Sequence, residues 1–431
     1  MIPKTIILLC GMLFLAYAYT AEADVQSQQP AQQPAQQPAQ QPVSRLAQWL
    51  NPRTSPFIPI PEIDTDPNGG TTIGLLPVFL ITDAQQQIRR IIAFDITYNT
   101  TLGVGGGGRL LSYPSDDVQW YVTASAAEEI ARSLDISYSA GLTRRTRWSY
   151  DVRLVYDRDP TDRFFGLGND SDEDDESNYT TEQGYIEARL GLNYSPALQL
   201  ALDIRPRFVE IERGAFNSQP YIGNEFPQLR GLRGTNEFFT RLTLSYDTRD
   251  SITVPKNGGQ VAIFGGLTDR RFLSSVSYSL FGLDARYFRP LSSRVTFAGH
   301  VAFRYMPVGM KVPFWALSRL GGDRSTIGYQ QPLRGFGSGR FIDNNLFAAN
   351  IEARIRAFAF ELFTTRAEIE VAPFLDIGRV FHSLGTNPFV HLHPVGGVGF
   401  RGIAAPFVVG YVDIGYGGEG AAIFTGVNYP F

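Results

Sequence analysis

The residues best placed to do chemistry are one arginine and a set of carboxylates downstream of it. Arg334 sits in QPLRGFGSGRF, residues 331–341, followed by Gly335, Gly337 and Gly339. Glycine tolerates φ > 0 and sharp turns, so this stretch can fold back and deliver a guanidinium to a chosen place. In NIEARIRAF, Ile351, Ala353, Ile355 and Ala357 alternate with Glu352, Arg354 and Arg356. In VAPFLDIGRV, Asp376 and Gly378 oppose Val371, Leu375 and Ile377; in VVGYVDIGY, Asp413 opposes Val412 and Ile414. A planar guanidinium suits bidentate pairing with a carboxylate. The chemistry on offer is electrostatic clamping rather than bond making. Spacing alone leaves the alternative open: a solvated arginine in an external loop, above ordinary wall carboxylates.

Other candidate chemistry is sparse. His391 and His393 share a strand face and could begin a metal site, but no third ligand stands nearby, so no metal is expected. There is no G-x-S-x-G elbow, and no enzymatic activity is expected. The run GVGGGGR, 103–109, lacks the Lys-Ser/Thr of a phosphate loop, and no cofactor is expected. It reads as a place where strands curve or another segment packs close. The acidic run DSDEDDE, 170–176, lacks the spacing of a calcium loop and reads as a solvated external loop. With a net charge of -4 and no basic tract, the composition does not point to nucleic acid.

What must position the clamp is a sheet. From about residue 71 to Phe431 the hydrophobic signal has period two. Trp148, Tyr150, Val152, Leu154 and Tyr156 share one face; Arg147, Ser149, Asp151, Arg153 and Asp157 share the other. Successive strand side chains point to opposite faces, so one face is apolar and the other charged. A soluble sandwich would bury its apolar face and use short strands. Charge on strand after strand, with aromatics near strand ends, fits a wet interior and a lipid-facing exterior. Closure follows, because an open edge in lipid leaves backbone groups unpaired. The fold expected is all-β: a closed, transmembrane, antiparallel β-barrel of sixteen strands, with an inward-folded extracellular loop. Residues 88–98 are assigned to the first external loop. Long connections at 159–182, 212–235, 306–344 and 379–390 then fall on one side, which is extracellular by the usual asymmetry, and both termini are periplasmic.

Three segments are expected. Residues 1–23 read as a signal peptide, with Lys4 before an apolar run and cleavage after Ala23 or Ala18. The one cysteine, Cys10, lies inside it, so disulfides and thiol chemistry are not expected in the mature chain. Residues 24–70, with SQQPAQQPAQQPAQQPV, read as a disordered periplasmic linker. Residues 71–431 are the barrel. In its last strand, IFTGVNYPF, Ile423, Val427, Tyr429 and Phe431 fall on one face. Tyr429 and the terminal Phe431 resemble the C-terminal signal by which outer-membrane proteins are recognised during insertion.

Several ordered motifs together resemble the BamA/TamA outer-membrane superfamily, also called the bacterial surface antigen family. PLRGFGSGRF is similar to its RGF/RGY loop motif and FLDIGRV to its F-x-D-x-G strand motif. YDTRDSITVPKNGGQ, 246–260, resembles its D-x-R-D and P-x-x-G turn, and FFGLGNDS, 164–171, a motif of members without periplasmic domains. The resemblance implies that the loop enters the barrel and that Arg334 pairs with Asp376, with Gly335 and Phe336 completing the loop motif and Gly378 the strand motif. Parity adds Glu352 and Asp413. Residues 24–70 leave no room for the POTRA modules of members that fold or secrete proteins. The implied role is outer-membrane biogenesis, inserting or translocating protein or lipid through a lateral seam between the first and last strands. A passive channel or a surface scaffold is the alternative. The partners implied are outer-membrane lipids and lipopolysaccharide, with client outer-membrane proteins or periplasmic factors.

Overall fold

The computed structural model describes residues 57–66, 69–83, 88–362, 365–385, 387–404, 407–426 and 428–431. The expected signal peptide and residues 24–56 of the expected linker lie outside the described residues. The chain begins with β1 (Phe57–Asp66), β2 (Gly70–Thr82), β3 (Ile88–Asn99), β4 (Gly103–Ser115), β5 (Val118–Ala127) and β6 (Arg132–Ala140). The longest strands of this half follow: β7 (Trp148–Phe164), β8 (Ser177–Asn193) and β9 (Leu198–Arg213). Next come β10 (Thr235–Asp247), β11 (Gly258–Thr268), β12 (Tyr278–Pro290) and β13 (Val295–Tyr305). A long connection holds three short strands, β14 (Ser318–Leu320), β15 (Gln330–Gln331) and β16 (Phe341–Asp343). The chain ends with β17 (Asn345–Leu362), β18 (Thr365–Phe381), β19 (His393–Ala404), β20 (Phe407–Gly417) and β21 (Gly420–Gly426).

All but β14–β16 join one antiparallel sheet of eighteen strands, in which chain neighbours pair. The last strand also meets the first, at the single register pair Thr65↔Ile423. The expected count of sixteen is therefore corrected by two. Residues 88–99 are not an external loop but a strand, paired with β2 and β4. Residues 57–66, expected in the linker, are a strand paired with β2 from Phe57↔Phe79 to Asp66↔Gly70. Pro59 and Pro61 disguise β1 in the sequence. They share parity, so their missing N–H donors fall on one edge, and proline is tolerated at a sheet edge. The two omissions compensate: parity is preserved, and the long connections after β7, β9, β11, β13 and β18 still leave from the same end of the sheet.

The alternation has the expected sense. Ile351, Leu375 and Val412 are exposed on the outer face, while Glu352, Asp376 and Asp413 are buried on the inner face. The long connection after β13 lies against that inner face. Its three short strands form their own small sheet, with β14 parallel to β15 and antiparallel to β16. Two apolar clusters seat it. Phe314 and Trp315 pack with Phe164 and Tyr179. Leu320, Leu333, Phe336 and Phe341 pack with Phe374 and Val395 from the wall.

Candidate functional site

Arg334 is carried at the tip of a tight backbone turn. Gly335 N–H and Phe336 N–H both donate to Leu333 O, at 2.8 and 3.0 Å, and Leu333 N–H donates to Gly322 O at 3.0 Å. Of the three glycines after Arg334, only Gly339 adopts a left-handed φ, +65°. Gly335 is needed for another reason: a Cβ there would lie 2.7 Å from Gly417 N and 2.9 Å from Val395. The motif glycine permits close approach rather than an unusual dihedral.

The guanidinium meets three carboxylates from three strands. Nε and Nη2 donate to Asp376 Oδ2 and Oδ1, both at 2.8 Å, in a bidentate pair. Nη1 donates to Glu352 Oε1 at 2.6 Å and to Asp413 Oδ2 at 2.9 Å. The Arg334 backbone N–H donates to Asp376 Oδ2 at 3.2 Å. The guanidinium also lies over the Phe374 ring, 3.6 Å from its centroid. Burial works against the charge on Arg334, but Asp376, Glu352 and Asp413 outweigh it and hold its pKa well above the ordinary arginine value.

Residues absent from the expected set complete the network. Arg401 donates to Glu352 Oε1 at 2.9 Å and to Asp413 Oδ1 at 3.3 Å. Arg354 donates to Glu352 Oε2 at 2.9 Å. Three carboxylates thus face three guanidinium groups, all buried. Space for this comes from glycines. A Cβ on Gly415 would stand 1.8 Å from Arg334 O, one on Gly399 would stand 2.2 Å from Asp413 Oδ1, and one on Gly378 would stand 2.9 Å from Leu320. Gly415 is two residues from Asp413 and so on its face, which is the signal in the sequence for it. Arg401 carries a weaker signal, an inward parity in GVGFRGIA. The cluster has the donors and acceptors of a clamp and presents no nucleophile beside a base.

The expected C-terminal signal is placed differently. Tyr429 and Phe431 do not continue the outer face of β21, which ends at Gly426. Asn428 turns through φ +66°, and both aromatic side chains enter the inner face. Arg354 lies 3.6 Å over the Tyr429 ring, and the Tyr429 hydroxyl donates to Glu370 Oε2 at 3.1 Å. Phe431 stacks on His300 at 5.2 Å and packs with Phe288 and Ala298. Ser325 N–H, in the inward connection, donates to Pro430 O at 3.0 Å. The paired ladder ends there: β20 pairs with β21 only as far as Tyr411↔Gly426, although β20 itself runs back to Phe407, and β1 offers one partner.

Two other motif segments also fold onto this assembly. Gly168 N–H donates to Ile342 O at 2.8 Å. Asn169 accepts from Val380 N–H at 3.2 Å and donates to His391 O at 3.0 Å. His393 stacks on Phe341 at 4.0 Å and bonds Asn169 O at 3.0 Å, so its ring is occupied in packing. Among the described residues no group of three or more His, Cys, Asp or Glu is arranged to hold a metal ion. In the turn 246–260, Arg249 pairs with Asp247 at 2.7 Å, and Val254 packs with Ile403 against Tyr429.

The chain matches a known family in sequence and known proteins in fold. The family model of the Omp85 superfamily domain matches residues 119–401. The chain is similar in structure to BamA from Haemophilus ducreyi lacking POTRA domains 1-3, with TM-score 0.50 and 16% identity over 89% of this chain and 77% of that one. It is also similar to CdiB from Acinetobacter baumannii, with TM-score 0.47 and 14% identity over 90% and 68%. CdiB from Escherichia coli gives 0.43 and 11% over 89% and 68%. Among proteins of curated function, none matches this sequence.

Proposed function

Because this chain belongs to the Omp85 superfamily of outer-membrane β-barrel proteins, we propose that it inserts or translocates protein or lipid through a seam between β1 and β21. The barrel closes at that seam, its long connections are extracellular and its termini periplasmic. Outer-membrane lipids, lipopolysaccharide and client outer-membrane proteins or periplasmic factors are the partners this reading calls for. The observation that carries it is the contrast in pairing: β1 pairs with β2 along its length but with β21 only at Thr65↔Ile423. Unpaired backbone is costly in lipid, so a seam with few ladder bonds is where the wall opens most easily. The Arg334 network acts as a latch: it keeps the inward connection seated and holds β17, β18 and β20 in register around it.

The test is a cross-link. Cysteines introduced at Thr65 and Ile423 would close the seam under oxidation, and the only native cysteine is Cys10. Cells relying on the locked barrel are expected to show envelope defects that a reductant reverses. Normal envelope composition with the seam locked would remove the seam from the mechanism. A passive channel is separated by conductance: the filled interior leads us to expect small, unsteady currents in planar bilayers, and large steady ones would favour the channel.

A further inference from the structure

The connections at the long-loop end are not alike in charge. Between β7 and β8, residues 170–176 carry Asp170, Asp172, Glu173, Asp174, Asp175 and Glu176 and no cation. On the next sector the balance reverses. Residues 214–234, 269–277 and 306–312, from the connections after β9, β11 and β13, carry five cations and two carboxylates, Glu225 and Asp269. Contacts at the flanks of these stretches set the three connections side by side. Phe314 N–H donates to Arg230 O at 2.9 Å and Ser275 N–H to Asn236 O at 2.8 Å. Ser279 N–H contacts Met310 Sδ at 3.2 Å.

Arg230, Arg233, Arg270 and Lys311 are exposed on this surface, and none has a carboxylate partner among the described residues. Arg270 is steadied by donating Nε to Ser275 O at 2.9 Å, which leaves its outer N–H groups directed to solvent. Arg271, by contrast, is held by Asp269 at 2.7 Å. Beside the free cations, Phe272 is 61% and Leu273 86% exposed. Leu273 stands at φ +52°, a conformation that a bulky apolar residue adopts at a cost. Two large apolar side chains thus stand exposed side by side at a cationic tip.

We infer that this sector is a docking surface for a phosphorylated, acylated glycolipid of the outer leaflet. Guanidinium groups pair with phosphate in the bidentate manner they use for carboxylates. Phe272 and Leu273 meet the acyl region, and the acidic connection at 170–176 keeps the anionic headgroup to one side of the rim. The inference rests on the outer-membrane reading above and deepens it by naming the residues that take the lipid and the phosphate that they recognise.

The experiment reconstitutes the full chain into phosphatidylcholine nanodiscs, adds diphosphorylated lipid A or its dephosphorylated form, and counts retained lipid by native mass spectrometry. Retention is expected to be phosphate-dependent and to fall as salt is raised. The combined variant R230Q/R233Q/R270Q/K311Q is expected to bind about tenfold more weakly or worse, since each cation near an anionic surface contributes. F272S/L273S should weaken binding of both lipid forms. Equal binding of the two forms, salt-independent binding, or a charge variant that binds like the unaltered chain would each overturn the site. If the charge variant does not reconstitute, the phosphate and salt dependence of the unaltered chain decides alone. A chain that enters no bilayer would sink the outer-membrane reading; one that enters bilayers without phosphate-dependent binding sinks only the docking surface.

Discussion

Two groups of ion pairs line the same inner face and differ mainly in what covers them. On the wall of β6–β9, Arg153 pairs with Asp135 at 2.6 Å, with 43% and 17% of their side-chain surfaces exposed. Under the inward connection, Arg334, Glu352, Asp376 and Asp413 have none exposed. The residue types and the distances are alike. What separates them is water, excluded in one place by Leu320, Leu333 and Phe336 and present in the other. An ion pair open to solvent is screened, whereas a buried one leaves an uncompensated charge when either partner goes. An inward-facing charge on a strand therefore says little about its energetic weight until its cover is known.

The comparison is sharpest at Arg334 itself. Arg334→Ala strips Asp376 of its partner and leaves only Arg354 and Arg401 to face three carboxylates in a dry site, and the loss is expected at about 3–5 kcal/mol. The heat-resistant folded band on a semi-native gel should be reduced or absent. Arg334→Lys should recover little of it, because an ammonium cannot reproduce the fork to Asp376. Next in size is Gly415→Ala. Its Cβ would fall on the Arg334 carbonyl, so the connection must lift, at about 1–3 kcal/mol. Protease cleavage between residues 321 and 340 should become detectable, and continued protection would show that the connection is seated elsewhere.

Tyr429→Ala tests whether the tail shares in the same cluster. It removes the ring under Arg354, at about 0.5–2 kcal/mol. The expected sign is faster thiol labelling of a cysteine placed at Phe431, with unchanged labelling there counting against any hold on the tail by Arg354. The smallest effect belongs to the wall. Arg153→Ala should change the melting temperature of the reconstituted barrel little, within about 0–1 kcal/mol of stability. A loss as large as that of Arg334→Ala would mean that the wall pair is as dry as the covered one, and the contrast between the two regions would collapse.

How much of this was legible beforehand varies by residue. Inward placement of Glu352, Asp376 and Asp413 could be read from alternation, because side-chain direction in a strand is a local property. The Arg334–Asp376 pairing needed the family resemblance, since nothing local tells a loop residue which of several inward carboxylates it will meet. Arg401 and Gly415 had the right parity and no other mark. Strand β1 was hidden by Pro59 and Pro61, because proline speaks against a strand wherever the edge is not known.

Period two along the chain determined the fold class, the two faces and the side from which long connections leave, for the pleat makes neighbours point oppositely whatever lies across from them. Only the tertiary structure decided which inward charges are dry, which glycines admit the Arg334 turn, and where the last strand stops. Each depends on a neighbour remote in sequence. Glu352, Asp376 and Asp413 come together only when their strands stand side by side, and β21 leaves its ladder at Gly426 although β20 runs on to Phe407. Tyr429 and Phe431 keep the alternation of a strand on paper, yet beyond Gly426 the paired ladder that would hold that alternation stops, and the rings turn inward to Arg354 and His300.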